Sequence, residues 1–536
     1  MEWRPGMASG AVMQAEVRRR GGAAAGTVAA GLIFALALGL RLFGLGSRPL
    51  WLDEVFTAQR SALPVPSLIE NSLIHHHSPL FFLLEHGMTM MLPGPYGLRL
   101  IPAIAGAACA PLVYAIGREA GLRGGALLGG LLAAFAPLQI GFAQEARSYT
   151  LVLALVLASL WGLVRLAGDR DRAALPWRHV AAPTGAWTAY GLGLVAALMV
   201  HGDALAWLLA SNLAMAVAIL PGLERRARFL RHWLAVQGLV LLATMPVYAA
   251  IVRAEHGRMI ASFRWIPPLT WHFVWADIAS LYGLRAATAV TMRLLPAPLP
   301  ALALVAFGFG ALGILRLRRA PGPRRVLVIA ALGPPLVLAA ISLIHPILLP
   351  RYLVLSPAPF FVLAGAGIET MPRRAIAPVL AAAAVLLAVN VTPYYRLETK
   401  PRWDLAASFL ARRLQPQDRV LVADGAAPVM LNTYLDRAGL RHVVLKATRQ
   451  PDRAAAALAH GGRIYAVYGP AGQGRLPDRA AFFARAEAFG VAGARHAIGD
   501  EITIERISPP GRGVVACADA VGESRAGTVC AGGARN

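Results

Sequence analysis

The chain has 536 residues, of which 57% are hydrophobic and 15% are charged, and its mean hydropathy is +0.56. Soluble domains average about 25% charged residues, so this composition excludes a small soluble domain and a disordered chain and indicates a membrane protein. Three cysteines exclude a disulfide scaffold. The formal net charge is +24, and because only Lys400 and Lys446 are lysines, the positions of the arginines decide what this charge does.

Long apolar segments predict a polytopic α-helical membrane protein. A helix needs roughly 20 apolar residues to cross the hydrocarbon core, where its backbone polar groups must pair within the helix. Segments of this kind predict about eleven transmembrane helices. They cover residues 25–45, 98–117, 124–142, 149–166, 186–201, 203–220, 233–252, 300–315, 326–344, 352–369 and 375–391. The first is too long for a cleaved signal peptide and predicts a retained anchor.

Arginines between these helices predict the orientation of the chain, because cytoplasmic loops carry an excess of Lys and Arg. With the N-terminal segment 1–24 in the cytoplasm, every cluster between helices falls on the cytoplasmic side. The clusters are Arg18–Arg20, Arg118 and Arg123, Arg170–Arg178, Arg225–Arg231, Arg316–Arg325, and Arg373 and Arg374. We interpret them as topology signals, since no aromatic stacking platform for nucleic acid accompanies them. The loops 46–97 and 253–299 and the chain after residue 391 then lie outside.

The C-terminal part differs in character from the membrane domain 25–394. Between residues 395 and 510, strand-like segments alternate with polar helical ones, which predicts a small extracytoplasmic α/β domain. The strand-like segments are 419–423, 442–445 and 464–468. The tail 511–536 is rich in Gly and Ala and predicts disorder.

Two adjacent acids open the first outer loop. Asp53 and Glu54 follow Trp51 after the first predicted membrane helix, near the outer interface where Trp is favoured. A carboxylate there can act as a general base toward a hydroxyl group. The alternative is a solvated helix start, because Asp and Glu are favoured in the first turn of a helix. The residues alone leave both interpretations open.

Three consecutive histidines, His75–His77, precede Pro79 in the same loop. Neighbouring residues on a helix or strand point in different directions, so a metal site needs further ligands from elsewhere. With such partners, His76 and His77 are candidate metal ligands. The alternative is an interfacial turn, with Pro79 beginning an amphipathic helix too short to span a bilayer.

Further polar residues collect at the outer ends of the predicted membrane helices. An arginine there can donate two hydrogen bonds to phosphate oxygens, while Gln, Ser and Tyr side chains supply neutral ones. Each group alone is also typical of a capped helix junction, but together they favour an active site at one membrane face. The candidate substrate-binding residues are Gln144, Glu145, Arg147, Tyr149, His201, Arg351 and Tyr352.

Three short motifs give the chain a family resemblance. They are Trp51-Leu52-Asp53-Glu54, His77-Ser78-Pro79-Leu80 and Gln144-Glu145-Ala146-Arg147-Ser148-Tyr149. Over residues 25–400 the chain resembles the polyprenyl-phosphate-dependent GT-C glycosyltransferases, specifically glycosyltransferase family 39, which contains protein O-mannosyltransferases and aminoarabinose transferases. The resemblance implies the GT-C fold, with juxtamembrane helices at 53–70 and 79–92. It also implies transfer of a sugar from a lipid-phosphate donor to a hydroxyl group on the non-cytoplasmic side.

The resemblance also implies roles for individual residues. Asp53 matches the family's first-loop aspartate, the base that deprotonates the acceptor, and Glu54 matches the acidic neighbour that orients or tunes it. Arg147 and Arg351 match basic positions near the donor phosphate. Inversion at the anomeric carbon by a single displacement is the expected outcome.

The histidine motif matches the family less closely. His77 and Pro79 match a His-Pro-Pro-Leu stretch, with Ser78 in place of the first proline. The acidic residue that many relatives carry just before this stretch is replaced by His75 or His76, so no metal role is carried over from them. A divalent metal is the only cofactor left open.

The expected partners are a polyprenyl-phosphate sugar donor, a lipid, glycan or protein acceptor, and the membrane, with nucleic acid excluded. The expected location is the bacterial inner membrane, with the active site and the α/β domain extracytoplasmic. A lipid or sugar transporter or flippase would instead favour ionisable residues near mid-membrane and internal repeats, whereas the helix centres are nearly charge-free. A third hypothesis is a non-catalytic scaffold, against which the adjacent Asp53 and Glu54 speak.

Overall fold

The computed structural model describes residues 6–168, 181–223, 226–255, 266, 270–271, 301–436, 444–446, 458–472 and 476–509. The chain divides into two compact units. The first comprises Met1–Ser47, Thr57–Ala287 and Arg293–Leu397, and the second comprises Arg48–Phe56, Thr288–Met292 and Glu398–Asn536. The predicted disordered tail 511–536 and most of the predicted loop 253–299 lie outside the described residues.

Helices make up the described part of the first unit, and their apolar side chains form a large shared core. They are α1 (Gly6–Leu42), α2 (Leu52–Ser61, which begins in the second unit), α3 (Val65–Ile74), α4 (Leu80–Met91), α5 (Pro95–Glu119), α6 (Gly124–Phe135), α7 (Pro137–Ala143), α8 (Tyr149–Gly168), α9 (Ala181–Val200), α10 (Ala204–Ala214), α11 (Arg226–Glu255), α12 (Ala301–Arg316), α13 (Pro321–Ser342), α14 (Pro357–Ile368) and α15 (Arg373–Arg396). Within the described ranges, five helices are long and apolar enough to cross a membrane, or six if the bent pair of α6 and α7 is one span. The five are Ala24–Leu42, Pro95–Glu119, Tyr149–Gly168, Arg226–Ala254 and Pro321–Ser342.

The predicted span 124–142 is bent by 55° between α6 and α7. The bend occurs at Pro137, which has no N–H to donate to the carbonyl group four residues before it. The side chain of Arg41 supplies donors instead: Nη2 lies 3.3 Å from the carbonyl oxygen of Ala133, and Nη1 lies 3.0 Å from that of Ala134. The buried guanidinium thus satisfies backbone groups at the break, which would be costly to leave unpaired.

The predicted juxtamembrane helix 53–70 is two helices, α2 and α3. Pro64 lies between them, and because proline fixes φ and disfavours helical geometry in the residue before it, the first helix ends there. α4 begins directly after Pro79, close to the predicted start. Its 12 residues are too few to span a bilayer.

The described residues of the second unit form a five-stranded mixed sheet, flanked by α16 (Trp403–Ala411), α17 (Ala427–Leu435) and α18 (Arg479–Glu487). The strands are β1 (Arg419–Val422), β2 (Val444–Lys446), β3 (Ile464–Tyr468), β4 (Val491–Ile498) and β5 (Ile502–Ser508). Their order is β2-β1-β3-β5-β4, with β1 parallel to β2 and β3, and β5 antiparallel to β3 and β4. β1 and β3 coincide with predicted strand-like segments to within one residue.

The second unit also includes a piece of the first outer loop, Arg48–Phe56, which we call the acidic segment. Val55 is fully buried in the same apolar core as Trp403. The backbone N–H of Leu50 donates to the hydroxyl oxygen of Tyr434 at 2.8 Å. Because this piece follows the first predicted membrane helix, the sequence predicted that it belongs to the membrane domain. Its apolar side chains instead complete the core of the second unit.

Candidate functional site

The acidic segment forms the first turn of α2. The N–H of Val55 donates to the carbonyl oxygen of Trp51 at 2.9 Å, so Trp51 is the N-cap residue. Glu54 Oε2 accepts the N–H of Trp51 at 3.2 Å, as a glutamate does at the third position of a capping box. Asp53 lies in the same turn with a partly buried side chain. The helix-start interpretation therefore accounts for Glu54.

Lys400 forms an ion pair with Glu54 that sequence reasoning missed. Its Nζ lies 2.7 Å from Glu54 Oε2, and the two side chains are 4% and 0% exposed. Removing one partner of a buried pair typically costs about 3–5 kcal/mol, because the other charge stays buried. The sequence offers one hint that Lys400 has a special role, because it is one of only two lysines in an arginine-rich chain.

The three histidines form the turn that ends α3. The N–H of His77 donates to the carbonyl oxygen of Ser72 at 2.9 Å and that of His76 donates to Leu73 at 3.1 Å, which is the pattern of a Schellman motif. His76 occupies the left-handed position of this motif with φ 62°, where glycine is usual. A side chain in that conformation costs roughly 1–2 kcal/mol. The turn therefore sets the direction in which the chain leaves at His77.

We expect His76→Gly to stabilise the protein by about 1 kcal/mol, because glycine adopts the left-handed conformation without steric cost. His76→Ala is the matched control, since it removes the imidazole and keeps the strained backbone. Thermal unfolding of the purified variants measures the difference. A His76→Gly protein that is no more stable than His76→Ala would contradict the structural role of this turn.

Four basic side chains lie close enough that three of them, Arg60, Arg147 and His201, affect the pKa of the fourth, His77, and we call the four the cation cluster. Burial, followed by the nearby Arg147 and Arg60 charges, lowers the pKa of His77 well below its usual value, so its imidazole is neutral at pH 7. Burial and Arg147 also lower the pKa of Arg60, to about 10, which leaves this guanidinium charged. Arg60 lies 4.4 Å from the ring centre of Phe82. Arg60 and Arg147 therefore bring two guanidinium groups to one part of the first unit.

Tyr149 connects two members of the cation cluster. Its ring centre lies 5.7 Å from the guanidinium carbon of Arg147 and 5.6 Å from the imidazole centre of His201. His201 Nδ1 in turn lies 3.3 Å from Asp203 Oδ2. The structure thus brings together predicted residues from three separate motifs, namely His77, Arg147 with Tyr149, and His201.

Gln144 has a different environment. Its side-chain N–H groups donate to the backbone carbonyl oxygens of Arg41 at 2.9 Å and Phe43 at 2.7 Å, and its Oε1 accepts the hydroxyl of Tyr394 at 2.9 Å. Three hydrogen bonds therefore use the amide to join the end of α1 to α15. This is a structural role for a residue predicted to bind substrate.

The remaining predicted residues lie nearby in the chain or on a separate turn. Glu145 is buried, and its carbonyl oxygen accepts the N–H of Arg147 at 2.7 Å. Arg351 and Tyr352 lie on the short turn Pro350–Leu353, where the guanidinium carbon is 6.0 Å from the tyrosine ring centre.

Within the part of the chain that the structure describes, His76 and His77 belong to no group of potential metal ligands. Among the residues that the structure describes, no group of three or more His, Cys, Asp and Glu side chains could hold a metal ion. Nδ1 of His75 lies 2.8 Å from the carbonyl oxygen of Asn71, and His76 has the left-handed conformation described above. Within those same residues, His76 and His77 therefore have too few potential ligands beside them to hold a divalent metal.

Glu85 on α4, in the predicted first outer loop, has a fully buried carboxyl group. Within the described part of the chain neither of its carboxyl oxygens has a hydrogen-bond partner, and burial raises the pKa of the group to about 9 from a usual value of about 4.5. The folded state therefore binds a proton that the unfolded state releases above pH 4.5. As pH rises from about 4.5 to about 9, this group subtracts roughly 1.4 kcal/mol of stability for each pH unit.

We therefore expect Glu85→Leu to stabilise the protein by an amount that grows with pH, with a small effect at about pH 5 and a large one at about pH 8. Glu70→Leu on α3 is the matched control, because this carboxylate is exposed and its replacement should give no such trend. Thermal unfolding midpoints at the two pH values measure the effect. An equal gain at both values for Glu85→Leu would show that its carboxyl group reaches water in the folded protein.

The fold is similar to that of solved membrane enzymes. ArnT from Cupriavidus metallidurans in the apo state has a TM-score of 0.56 at 16% identity, covering 90% of this chain and 98% of that one. ArnT bound to undecaprenyl phosphate gives 0.53 at 16% identity, covering 89% and 97%. The oligosaccharyltransferase AglB from Archaeoglobus fulgidus, in complex with an inhibitory peptide and a dolichol-phosphate, gives 0.50 at 13% identity, covering 83% and 69%.

These enzymes have the GT-C fold, and the likeness shows that this chain has it as well, as the motifs predicted. No protein-family model matches the sequence, and no curated protein matches it. Identities of 13–16% establish the fold alone, so the activity has to be argued from the residues.

Proposed function

We propose that this protein transfers a hexosyl or pentosyl group from a polyprenyl-phosphate donor to a hydroxyl group of a lipid, glycan or protein acceptor. The reaction takes place at the outer face of the bacterial inner membrane and inverts the anomeric carbon. The proposal includes about eleven spans, the number expected from runs of roughly 20 apolar residues. It also includes an extracytoplasmic location for the second unit.

The cation cluster is the observation that carries this proposal. Arg60 and Arg147 are mostly buried, and burial together with the Arg147 charge lowers the pKa of Arg60 to about 10, which leaves Arg60 charged. Neighbouring guanidinium groups bind phosphate well, because each can donate paired hydrogen bonds to its oxygens. ArnT, whose fold this chain shares, has been solved with undecaprenyl phosphate bound, which supports a lipid phosphate as that anion.

The proposed chemistry assigns separate tasks to the acidic segment and the cation cluster. Asp53 accepts the proton of the acceptor hydroxyl, whose oxygen attacks the anomeric carbon from the face opposite the phosphate. The bond from that carbon to the phosphate oxygen breaks, and Arg60 and Arg147 stabilise the charge on the departing lipid phosphate.

The polar groups inside the helical bundle favour this proposal over a transporter. Tyr190, Ser211 and Gln237 form a neutral network in which the tyrosine hydroxyl lies 3.1 Å from Ser211 Oγ and accepts from Gln237 Nε2 at 2.9 Å. A proton or ion pathway needs groups that change charge or coordinate ions. The three side chains of this network are neutral and instead form hydrogen bonds with one another.

The test uses the purified full-length protein in vesicles with undecaprenyl-phosphate donors that carry radiolabelled hexoses or pentoses, together with cell-envelope acceptors. Label recovered in an acceptor, with release of undecaprenyl phosphate, supports the transferase. The anomeric configuration of that product tests inversion. Movement of intact donor across the vesicle bilayer without product would overturn the proposal in favour of a flippase.

A further inference from the structure

The second unit contains the residues that hold the acidic segment in place. We infer that this unit serves as the support of the first turn of α2, with Lys400 as a positioning residue for Asp53. The catalytic consequence rests on the proposed sugar transfer, whereas the structural part rests on contacts within the second unit alone.

Apolar packing is the first of these contacts. Val55 is fully buried in the core that includes Trp403, so the segment supplies part of the unit's interior. Leu52 packs against the same core, and its Cδ2 lies 3.3 Å from where a Cβ on Gly472 would be. A side chain larger than hydrogen at Gly472 would therefore press on the start of α2.

Backbone hydrogen bonding is the second contact that holds the acidic segment. The hydroxyl oxygen of Tyr434 accepts the N–H of Leu50 at 2.8 Å, and its O–H reaches the carbonyl oxygen of the same residue at 3.3 Å. One side chain of α17 thus engages both polar groups of a backbone residue directly before the helix. Apolar packing alone would let the chain slide along the axis of α2, whereas these hydrogen bonds fix the position of Leu50 along that axis.

The ion pair of Lys400 with Glu54 is the third contact. It fixes the rotation of the first turn of α2 about the helix axis. Glu54 Oε2 accepts from Lys400 Nζ at 2.7 Å and from the N–H of Trp51 at 3.2 Å. A single oxygen therefore links the lysine to the N-cap of α2. Asp53 lies between Trp51 and Glu54 in the chain, so a shift of either neighbour moves its carboxylate. Misplacing a reacting group by about 1 Å can cost on the order of 10²-fold in rate.

A comparable pair in the same unit provides the control. Asp418 is fully buried and accepts from Arg463 at 2.8 Å, joining the starts of β1 and β3. The Arg463 side chain is 26% exposed, and its replacement removes this ion pair without touching the acidic segment. Arg463→Met therefore reports general weakening of the unit, whereas Lys400→Met adds loss of the Glu54 contact.

The experiment compares wild type, Lys400→Met, the double variant Lys400→Met/Glu54→Gln and Arg463→Met in the full-length protein. Hydrogen exchange by mass spectrometry measures protection of the backbone amides of residues 51–56. We expect Lys400→Met to raise their exchange rate by at least about tenfold, and Arg463→Met to leave it near the wild-type rate. The double variant should recover protection, because the amide oxygen introduced by Glu54→Gln can still accept the N–H of Trp51 and no unpaired buried charge is left in place of the ion pair.

Kinetics distinguish positioning from general stability. For Lys400→Met we expect kcat to fall by about 10²-fold with the KM for the donor within about threefold, and the double variant to recover most of the loss. Unchanged exchange at residues 51–56 in Lys400→Met, or an equal rise in Arg463→Met, overturns the inference. A wild-type protein without transfer activity refutes the proposed function instead, and exchange then still decides whether Lys400 holds the segment.

Discussion

Asp53→Asn is expected to lower sugar transfer by about 10²–10⁴-fold, the usual contribution of a general base. Asparagine keeps the size and hydrogen-bonding shape of the side chain but cannot accept the acceptor's proton at neutral pH. The ion pair of Lys400 with Glu54 and the packing of Val55 remain, so the first turn of α2 should form as before. Turnover of radiolabelled undecaprenyl-phosphate sugar, with donor binding measured separately, tests this expectation.

Asp478→Asn provides the matched control for this substitution. Asp478 also begins a helix of the second unit, and its Oδ1 accepts the N–H of Ala481 at 2.9 Å, a bond that asparagine can keep. We expect that variant to transfer sugar at the wild-type rate. Substantial turnover by Asp53→Asn in a folded preparation would rule Asp53 out as the base.

Arg147→Met is expected to lower kcat/KM for the lipid-phosphate donor by about 10²–10³-fold, the range typical for removing one group that stabilises transition-state charge. The same change should also raise the pKa of Arg60, because burial and the Arg147 charge together lower it in the folded protein.

Arg485→Met removes an identical charge from an exposed position on α18 and should affect neither quantity. Inhibition of transfer by free undecaprenyl phosphate gives a second measure of Arg147, because it reports binding without chemistry. Unaltered inhibition and unaltered kcat/KM in Arg147→Met would place the donor phosphate elsewhere.

Sequence patterns predicted the features that depend on local composition. Long apolar runs predicted α5 and α8, since a membrane span has to be apolar along its whole length. Short motifs predicted that His77, Arg147 and His201 lie near one another, because each follows or precedes an apolar helix at the same expected membrane face. The structure places these three side chains in one cluster.

Tertiary pairing could not be predicted in this way. The partner of Glu54 is 346 residues away along the chain, and only composition hinted at Lys400. Gln144 lies within a motif of candidate donors, yet its amide bonds with residues of α1 and α15 determine its role. Arg60 was overlooked because a single arginine on an amphipathic helix is usually a solvated side chain.

The inclusion of Arg48–Phe56 in the second unit has a consequence for recombination between homologous genes. A crossover near residue 397 would exchange the C-terminal unit but leave behind the strip of chain that fills part of its interior, including the buried Val55. The chimaera would then pair Lys400 of one parent with Glu54 of the other. Viable chimaeras should therefore inherit both discontinuous pieces from one parent, or carry compensating changes at Leu52, Glu54 and Val55. Directed construction of such hybrids should treat residues 48–56 and 398–509 as a single inherited module.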